Sequence, residues 1–136
     1  MLIRLLAAGL MVIALPLTAM GADCNYPMAA ELGAGKLKTW SRVHVWFKRY
    51  GACDDGALGE GFTESVTVLL AKRWSQLPAL SARAESDPQF RTFVLKHINA
   101  SADEGNLKII ESNATSRCPA RQAQLCAEFI ARVRQQ

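Results

Sequence analysis

Two amphipathic stretches between residues 36 and 77 constrain the fold more than any other part of the chain. From Lys36 to Tyr50 and again from Ala57 to Leu77, large side chains recur every three or four residues, which places them on one side of an α-helix. The loop between them, residues 51–56, has the sequence Gly-Ala-Cys-Asp-Asp-Gly. The pattern predicts a pair of helices, each burying one face. The predicted inward positions are Leu37, Trp40, Val43, His44, Trp46, Phe47 and Tyr50, then Leu58, Phe62, Val66, Leu69, Leu70, Trp74 and Leu77.

Start and stop signals predict three further helices. Asp87-Pro88 combines a favoured N-cap with proline at the first helical position. Ser101–Glu104 has the spacing of a capping box, and Pro119 is expected to open a last helix that ends near Arg134. Residues 23–35 are predicted to be irregular, and no segment shows the period-2 alternation of a strand. We therefore expect an all-α fold, a compact bundle of about five helices.

The first 22 residues have the features of a cleavable signal peptide. Arg4 precedes an apolar run from Leu5 to Leu17, and small residues follow, so cleavage is expected after Gly21 or Ala22. A membrane anchor is the alternative, but Pro16 interrupts a run that is shorter than the roughly 20 residues of a spanning helix. We expect an exported, periplasmic or secreted protein with no stable membrane anchor after cleavage.

The mature chain is predicted to be a single helical domain, residues 23–136, because its length supports one hydrophobic core. Removal of Arg4 lowers the net charge from +4 to +3. No block of basic residues alternates with aromatic residues expected to be exposed, which argues against a nucleic-acid partner. Charged groups of both signs could instead contact another macromolecule. The candidate binding residues are Lys38, Arg42, Arg49, Asp55, Glu60 and Glu64.

Four cysteines, Cys24, Cys53, Cys118 and Cys126, remain in the mature chain. An even number after a signal peptide predicts two disulfides formed in an oxidising compartment. If Pro119 opens the last helix, Cys118 and Cys126 are separated by about 12 Å along its axis, too far for a disulfide. We therefore expect one of the two other connectivities, each of which ties the start and middle of the chain to its last helix. A four-thiolate metal site is disfavoured because no Cys-x-x-Cys occurs.

Three residues are candidates for a polar core. His44 and His97 lie among apolar positions of their helices, where they are either core histidines or, if they converge with Asp54 or Glu64, a metal or acid–base site. Arg73 falls in the middle of the apolar side of the second stretch, so its guanidinium must either reach solvent or pair with a carboxylate. An ion pair with Asp54, Asp55 or Asp87 is expected, and a ligand-binding role is the alternative.

Motifs of known catalytic chemistry are missing from the sequence. Neither Gly-x-Ser-x-Gly nor Ser-x-x-Lys occurs, and oxidised cysteines offer no thiolate nucleophile. The acidic residues after Cys53 lack the spacing of a calcium loop and are expected at a helix start, where carboxylates are favourable. We expect no catalysis, no metal and no cofactor.

The order of these features resembles that of small secreted proteins of Gram-negative bacteria. The features are the signal peptide, an aromatic helix, the turn Tyr50-Gly51-x-Cys53-Asp54-Asp55-Gly56, a helix ending in Trp74, and the late Cys118-Pro119 and Cys126. More remotely, the chain resembles the periplasmic all-helical immunity proteins that block peptidoglycan-degrading type VI secretion effectors. This resemblance implies a monomeric or dimeric periplasmic binder.

Three hypotheses for the function follow. The first is a non-enzymatic periplasmic protein that binds a protein partner, such as an inhibitor or immunity factor. The second is an envelope enzyme or metal-binding protein that uses His44 and His97 with an acidic residue, which requires the two imidazoles to converge. The third is a purely structural envelope component.

Overall fold

The computed structural model describes residues 24–136, which form seven α-helices and no strand in that range. The fold is therefore all-α, as the sequence predicts, whereas the predicted signal peptide lies outside the described residues. The helices are α1 (Met28–Ala34), α2 (Trp40–Tyr50), α3 (Gly56–Lys72), α4 (Leu77–Ser86), α5 (Pro88–Lys96), α6 (Glu104–Ser116) and α7 (Ala123–Arg134). Single turns of 3-10 helix span Gly51–Cys53, Trp74–Gln76 and Ala120–Gln122.

Two of the helices, α1 and α4, add to the five predicted from sequence. The segment 23–35 was expected to be irregular, but it contains α1, which packs against α3. In α4, Pro78 lies in the first turn, where a helix tolerates proline because that N–H has no intrahelical partner.

The ends of four predicted helices differ from the structure; the start of α7 is described below with the disulfides. α2 begins at Trp40, because Thr39 accepts a hydrogen bond from the backbone N–H of Arg42 and so caps the helix. α6 is capped by Asp103 and not by Ser101, since the Asp103 carboxylate accepts from the backbone N–H of Asn106. α3 ends at Lys72, several residues before the predicted end.

Helix α3 lies at the centre of the fold and packs against α1, α2 and α6. Its approach to α1 is close: a Cβ atom on Gly61 would lie 2.8 Å from Cβ of Ala34 and 2.9 Å from N of Gly35. The hydroxyl of Ser65 links the same two segments, since it donates to the carbonyl of Ala34 and accepts from the backbone N–H of Leu37. A glycine and a small polar residue thus set the distance between the two helices.

Buried hydrogen bonds attach the C-terminal half of the chain to the end of α3. The side-chain amide of Asn113 in α6 donates to the carbonyls of Leu70 and Ala71, at 3.1 and 3.3 Å. The indole of Trp74 donates to the carbonyl of Arg117 at 2.9 Å. Carbonyls in the last turn of a helix lack intrahelical partners, so Asn113 supplies a bond that α3 cannot make for itself.

The two disulfides join Cys24 to Cys53 and Cys118 to Cys126. The prediction of two disulfides is confirmed, but the expectation that Cys118 and Cys126 do not pair is wrong. Pro119 has an extended backbone and α7 begins only at Ala123, after a 3-10 turn. The chain therefore folds back before the helix, which brings the two Cα atoms within 6.2 Å, a normal disulfide separation. Neither disulfide connects the start or middle of the chain to α7.

None of the helices within residues 24–136 combines the length and the apolar character needed to cross a membrane.

Candidate functional site

The outer side of α2 carries the predicted basic residues. Arg42 and Arg49 follow each other at a spacing of seven residues and share a stripe with Val45, and all three side chains are exposed, Val45 by 61%. Lys38 is exposed just before the helix begins. Within the described residues, none of the three cations has a carboxylate within 4 Å, although the Arg49 guanidinium lies 5.2 Å from the ring centroid of Tyr50. We call Lys38, Arg42, Val45 and Arg49 the α2 basic stripe.

The predicted acidic residues lie on another element, the first turns of α3. Asp55, Glu60 and Glu64 are all exposed, and none forms an ion pair with a cation of residues 24–136. Asp55 is the N-cap of α3, and its carboxylate accepts from the backbone N–H of Gly56 at 2.8 Å. The candidate binding residues therefore form two groups of opposite charge on separate helices.

A buried polar cluster holds the C-terminal end of α5. Nε2 of His97 lies 3.0 Å from Oδ2 of Asp54, and the ammonium of Lys96 donates to the same oxygen at 2.7 Å. Nδ1 of His97 lies 2.8 Å from the hydroxyl of Thr63 in α3. The side chains of Asp54 and His97 are only 5% and 3% exposed. We call these four residues the C-terminal cluster of α5.

One proton arrangement satisfies the hydrogen bonds of His97 in this cluster. If His97 donates from Nε2 to the ionised Asp54, Nδ1 is free to accept from the Thr63 hydroxyl. Burial raises the pKa of the Asp54 carboxyl, but the hydrogen bonds and positive charges of His97 and Lys96 outweigh it, so the pKa lies below its ordinary value of 3.8. The other carboxylate oxygen, Oδ1, is buried and accepts no hydrogen bond from residues 24–136. The charge of Asp54 therefore depends on His97 and Lys96.

A second cluster, which also contains an aspartate, a histidine and a lysine, holds the N-terminal end of α5. Asp87 is the N-cap of α5 and accepts from the backbone N–H of Phe90 through Oδ1. Its other oxygen, Oδ2, lies 2.9 Å from Nε2 of His44 and 3.5 Å from the ammonium of Lys48, both in α2. The hydrogen bonds from His44 and from the N–H of Phe90, together with Lys48, lower the pKa of Asp87 to about 2. We call His44, Lys48 and Asp87 the N-terminal cluster of α5.

The two histidines bind different carboxylates at opposite ends of α5, so they do not converge. The ten residues from Asp87 to His97 extend about 15 Å as a helix. Phe90 and Phe93 lie between the imidazoles: the ring centroids of His44 and Phe90 are 4.5 Å apart, as are those of Phe93 and His97. No three His, Cys, Asp or Glu side chains of residues 24–136 come together as a metal site. The arrangement required by the metal hypothesis is therefore not formed by the described residues.

Arg73 does not belong to the core. It follows the last residue of α3 with φ −130° and ψ 40°, so the helical phase used to place it on the apolar side no longer applies. Its side chain is exposed, and it makes no ion pair within the described part of the chain. The predicted ion pair of Arg73 is therefore wrong.

Sequence reasoning named Asp54 as a possible partner of the histidines, but it missed Thr63, Lys96 and the contact of His44 with Asp87. One signal pointed to Thr63: it follows Phe62 on the apolar side of α3, and a buried hydroxyl needs a hydrogen-bond partner. The pairing of Asp87 with His44 carried no such signal, because the two residues are 43 positions apart in the chain.

The C-terminal cluster resembles a nucleophile–base–acid chain in its order of hydrogen bonds, from Thr63 through His97 to Asp54. Thr63 is only 3% exposed, however, and its hydroxyl also accepts from the amide of Asn99 at 3.3 Å. The chain of hydrogen bonds therefore ends inside the protein, where its main effect is to attach residues 51–56 to α3 and α5.

Comparison of the chain with protein-family models, with curated proteins and with solved structures finds no match.

Proposed function

We propose that this protein is a non-enzymatic, exported helical domain that binds an acidic protein through the α2 basic stripe. The proposal depends on one observation: Arg42 and Arg49, which have no ion-pair partners in residues 24–136, lie on the same exposed side of α2 as Val45, and Lys38, also without an ion-pair partner there, lies just before that helix. An acidic partner gains charge-assisted hydrogen bonds from the arginines, and Val45 supplies apolar contact area between them. Such a surface suits recognition of a protein such as a secreted effector or enzyme.

The attachment of α2 supports a recognition role. On its inner side Trp40 and Val43 are buried, and its His44 binds Asp87 of α5. Just beyond its end, Cys53 is joined to Cys24. A helix held in this way needs little further ordering when a partner binds, which lowers the entropic cost of association.

The acidic residues at the start of α3 favour one orientation of the bound partner. Asp55, Glu60 and Glu64 repel the acidic surface that the α2 basic stripe attracts. Two groups of opposite charge therefore favour one orientation of an incoming partner and raise the association rate at low ionic strength.

The proposed location is the periplasm. Both disulfides and the absence of a free cysteine in residues 24–136 support an oxidising compartment. The signal-like sequence of residues 1–22 and the resemblance to secreted helical immunity proteins support export and a binding role, so the function would be that of an inhibitor or immunity factor.

The alternative function, an envelope enzyme or metal-binding protein, has one observation in its favour, the Thr63–His97–Asp54 chain of hydrogen bonds. We rank it second because Thr63 is buried and because the two histidines bind separate carboxylates. Hydrolysis assays that depend on Thr63 would favour it.

The test is capture of a partner from a periplasmic extract by the oxidised mature protein. The test variant replaces Lys38, Arg42 and Arg49 by glutamine, and the matched control replaces three other exposed cations, Lys72, Arg73 and Arg121. Both variants lose three positive charges. We expect wild type and control to capture the same protein, the test variant to lose it, and capture to weaken as salt is added. Equal capture by all three proteins, or none by any, would contradict the proposal.

A further inference from the structure

Each end of α5 is attached to other elements by an aspartate, a histidine and a lysine. Each cluster has a carboxylate that contacts one histidine and one lysine: Asp87 with His44 and Lys48, and Asp54 with His97 and Lys96. The N-terminal cluster attaches α5 to α2, and the C-terminal cluster attaches it to residues 51–56 and, through Thr63, to α3.

The two clusters differ in burial. In the N-terminal cluster the side chain of His44 is 26% exposed, so water can partly replace a lost partner. In the C-terminal cluster the side chain of His97 is 3% exposed. A charged imidazole at His97 therefore depends on Asp54 for its compensation, because a buried charge without a partner is strongly destabilising.

Acidification changes the charges of histidine and carboxylate side chains at different pH values. Histidine side chains acquire a positive charge on acidification before carboxylates lose theirs, so a histidinium–carboxylate pair exists at mildly acidic pH. The charged groups around Asp54 are Lys96 and His97 of α5, with Asp55 beside it and Glu60 in the first turns of α3. Once Asp54 is neutral, Lys96 and a charged His97 both lose their counter-ion. Only the Lys96 side chain, which is 58% exposed, can be solvated by water instead.

The N-terminal cluster is better able to withstand acid. Asp87 contacts His44 and Lys48 of α2. The charged residues nearest to it in the chain are Glu85 of α4 and Arg91 of α5. Arg91 is paired with Glu128 of α7. The pKa of Asp87, about 2, means that this carboxylate keeps its charge in moderately acidic solution.

We propose that the C-terminal cluster of α5 is an acid-operated latch, in which neutralisation of Asp54 expels the buried His97 and releases both residues 51–56 and the end of α5. Release uncovers the aromatic side chains that His97 covers: its ring centroid lies 4.5 Å from that of Phe93 and 5.8 Å from that of Phe62. The disulfide between Cys24 and Cys53 keeps the released loop attached, and the N-terminal cluster keeps α5 on α2. The opening is therefore local, and it is independent of the proposed partner.

Hydrogen exchange followed by mass spectrometry tests the latch in the oxidised mature protein. Protection factors, corrected for the pH dependence of intrinsic exchange, are compared at pH 7, 5 and 3. We expect peptides that cover residues 51–59 and 93–99 to lose protection several-fold between pH 5 and pH 3, since folding lowers the pKa of Asp54 and the open fraction therefore rises, by at most about tenfold per pH unit, once the pH falls below the ordinary value of 3.8. Peptides of α6 and α7 serve as the internal control and keep their protection.

Three variants make the test specific. In Asp54→Asn the amide accepts from a neutral histidine but cannot compensate a charged one, so the opening should occur at a higher pH than in wild type. In His97→Gln no charge develops at this position and Lys96 alone remains beside Asp54, so protection in both segments should fall less between pH 5 and pH 3 than in wild type. Asp55→Asn, which changes the exposed neighbouring carboxylate, should behave as wild type.

Two results would overturn the latch: equal protection of the two segments at pH 5 and pH 3 in wild type, or the same pH dependence in wild type and His97→Gln. Because the second comparison does not involve Asp54→Asn, it remains decisive even if that variant fails to fold.

Discussion

Nε2 of His44 lies 2.9 Å from Oδ2 of Asp87, so the residue that caps α5 also binds α5 to α2. The cap uses one carboxylate oxygen, on the N–H of Phe90, and the interhelical bond uses the other. A single side chain thus determines both where α5 begins and against which helix that end lies.

The first prediction concerns the pH dependence contributed by Asp87. Its pKa falls from 3.8 to about 2 on folding, so its contribution is fully present above about pH 4 and is lost as the pH falls toward 2. In Asp87→Asn the cap is retained but the charge is gone, so the free energy of unfolding should fall less steeply between pH 4 and pH 2 than in wild type. Urea unfolding at several pH values measures this. Parallel curves of unfolding free energy against pH for the two proteins would refute this prediction. Asp87→Ala should be less stable than Asp87→Asn, because it also loses the cap.

The second prediction concerns the close approach of α1 to α3. Alanine usually stabilises a helix relative to glycine, but a Cβ at position 61 would lie 2.9 Å from the backbone N of Gly35, so one helix must move. Gly61→Ala should lower the free energy of unfolding by about 1 to 3 kcal/mol and reduce the exchange protection of residues 28–34. Ser112→Ala, at an exposed position of α6, is the control and should leave both quantities nearly unchanged. A more stable Gly61→Ala would show that the helices are not in contact there.

The third prediction concerns disulfide connectivity. Trypsin can cut after Arg121, which lies between Cys118 and Cys126 and is exposed. A non-reducing digest should therefore contain residues 118–121 linked to residues 122–132, and the peptide with Cys24 linked to residues 50–72. Any peptide that links Cys24 or Cys53 to Cys126 would contradict the structure.

The same disulfides should contribute unequally to stability. In the chain-entropy model the loop of 29 residues closed by Cys24 and Cys53 contributes about 3.6 kcal/mol, and the loop of 8 residues closed by Cys118 and Cys126 about 2.5 kcal/mol. Replacing each pair by serine and measuring unfolding in urea tests the order. A larger loss of stability on replacing Cys118 and Cys126 would show that the entropy of the unfolded chain does not dominate the contribution of these disulfides.

The fifth prediction concerns the aromatic contacts between the two histidines. Phe90 is fully buried, and its ring lies 4.5 Å from that of His44 and 5.5 Å from that of Phe47. Phe90→Ala should lower the free energy of unfolding by about 3 to 5 kcal/mol, the cost of a large cavity in a packed core. Val45→Ala removes an apolar side chain at the surface and should cost less than about 0.5 kcal/mol. Similar losses in both variants would mean that α5 does not pack as described.

Local signals in the sequence predicted much of the fold. The periodic apolar residues of α2 and α3 place Trp40, Val43, Phe62 and Val66 inward, and all four are buried. The prediction of Asp87 as an N-cap is confirmed. Such signals succeed because they act over one or two helical turns, a distance at which the spacing along the chain determines the spacing in the structure.

Predictions failed where a helix boundary was misplaced. The early end of α3 at Lys72 moves Arg73 from the apolar side to solvent, since each residue of a helix rotates the side chain by about 100° only while the helix continues. The late start of α7 allows Cys118 to reach Cys126. A shift of a few residues at one end was enough to reverse both conclusions.

By itself, the sequence determined that the described chain is helical, which sides of its main helices are buried, and that its cysteines pair. Only the tertiary structure decided which cysteine meets which, and that His44 and His97 bind Asp87 and Asp54 at opposite ends of α5. The physical reason is the range of the interactions: periodicity and capping act between neighbours in the chain, whereas a contact across 43 residues depends on how every intervening helix packs.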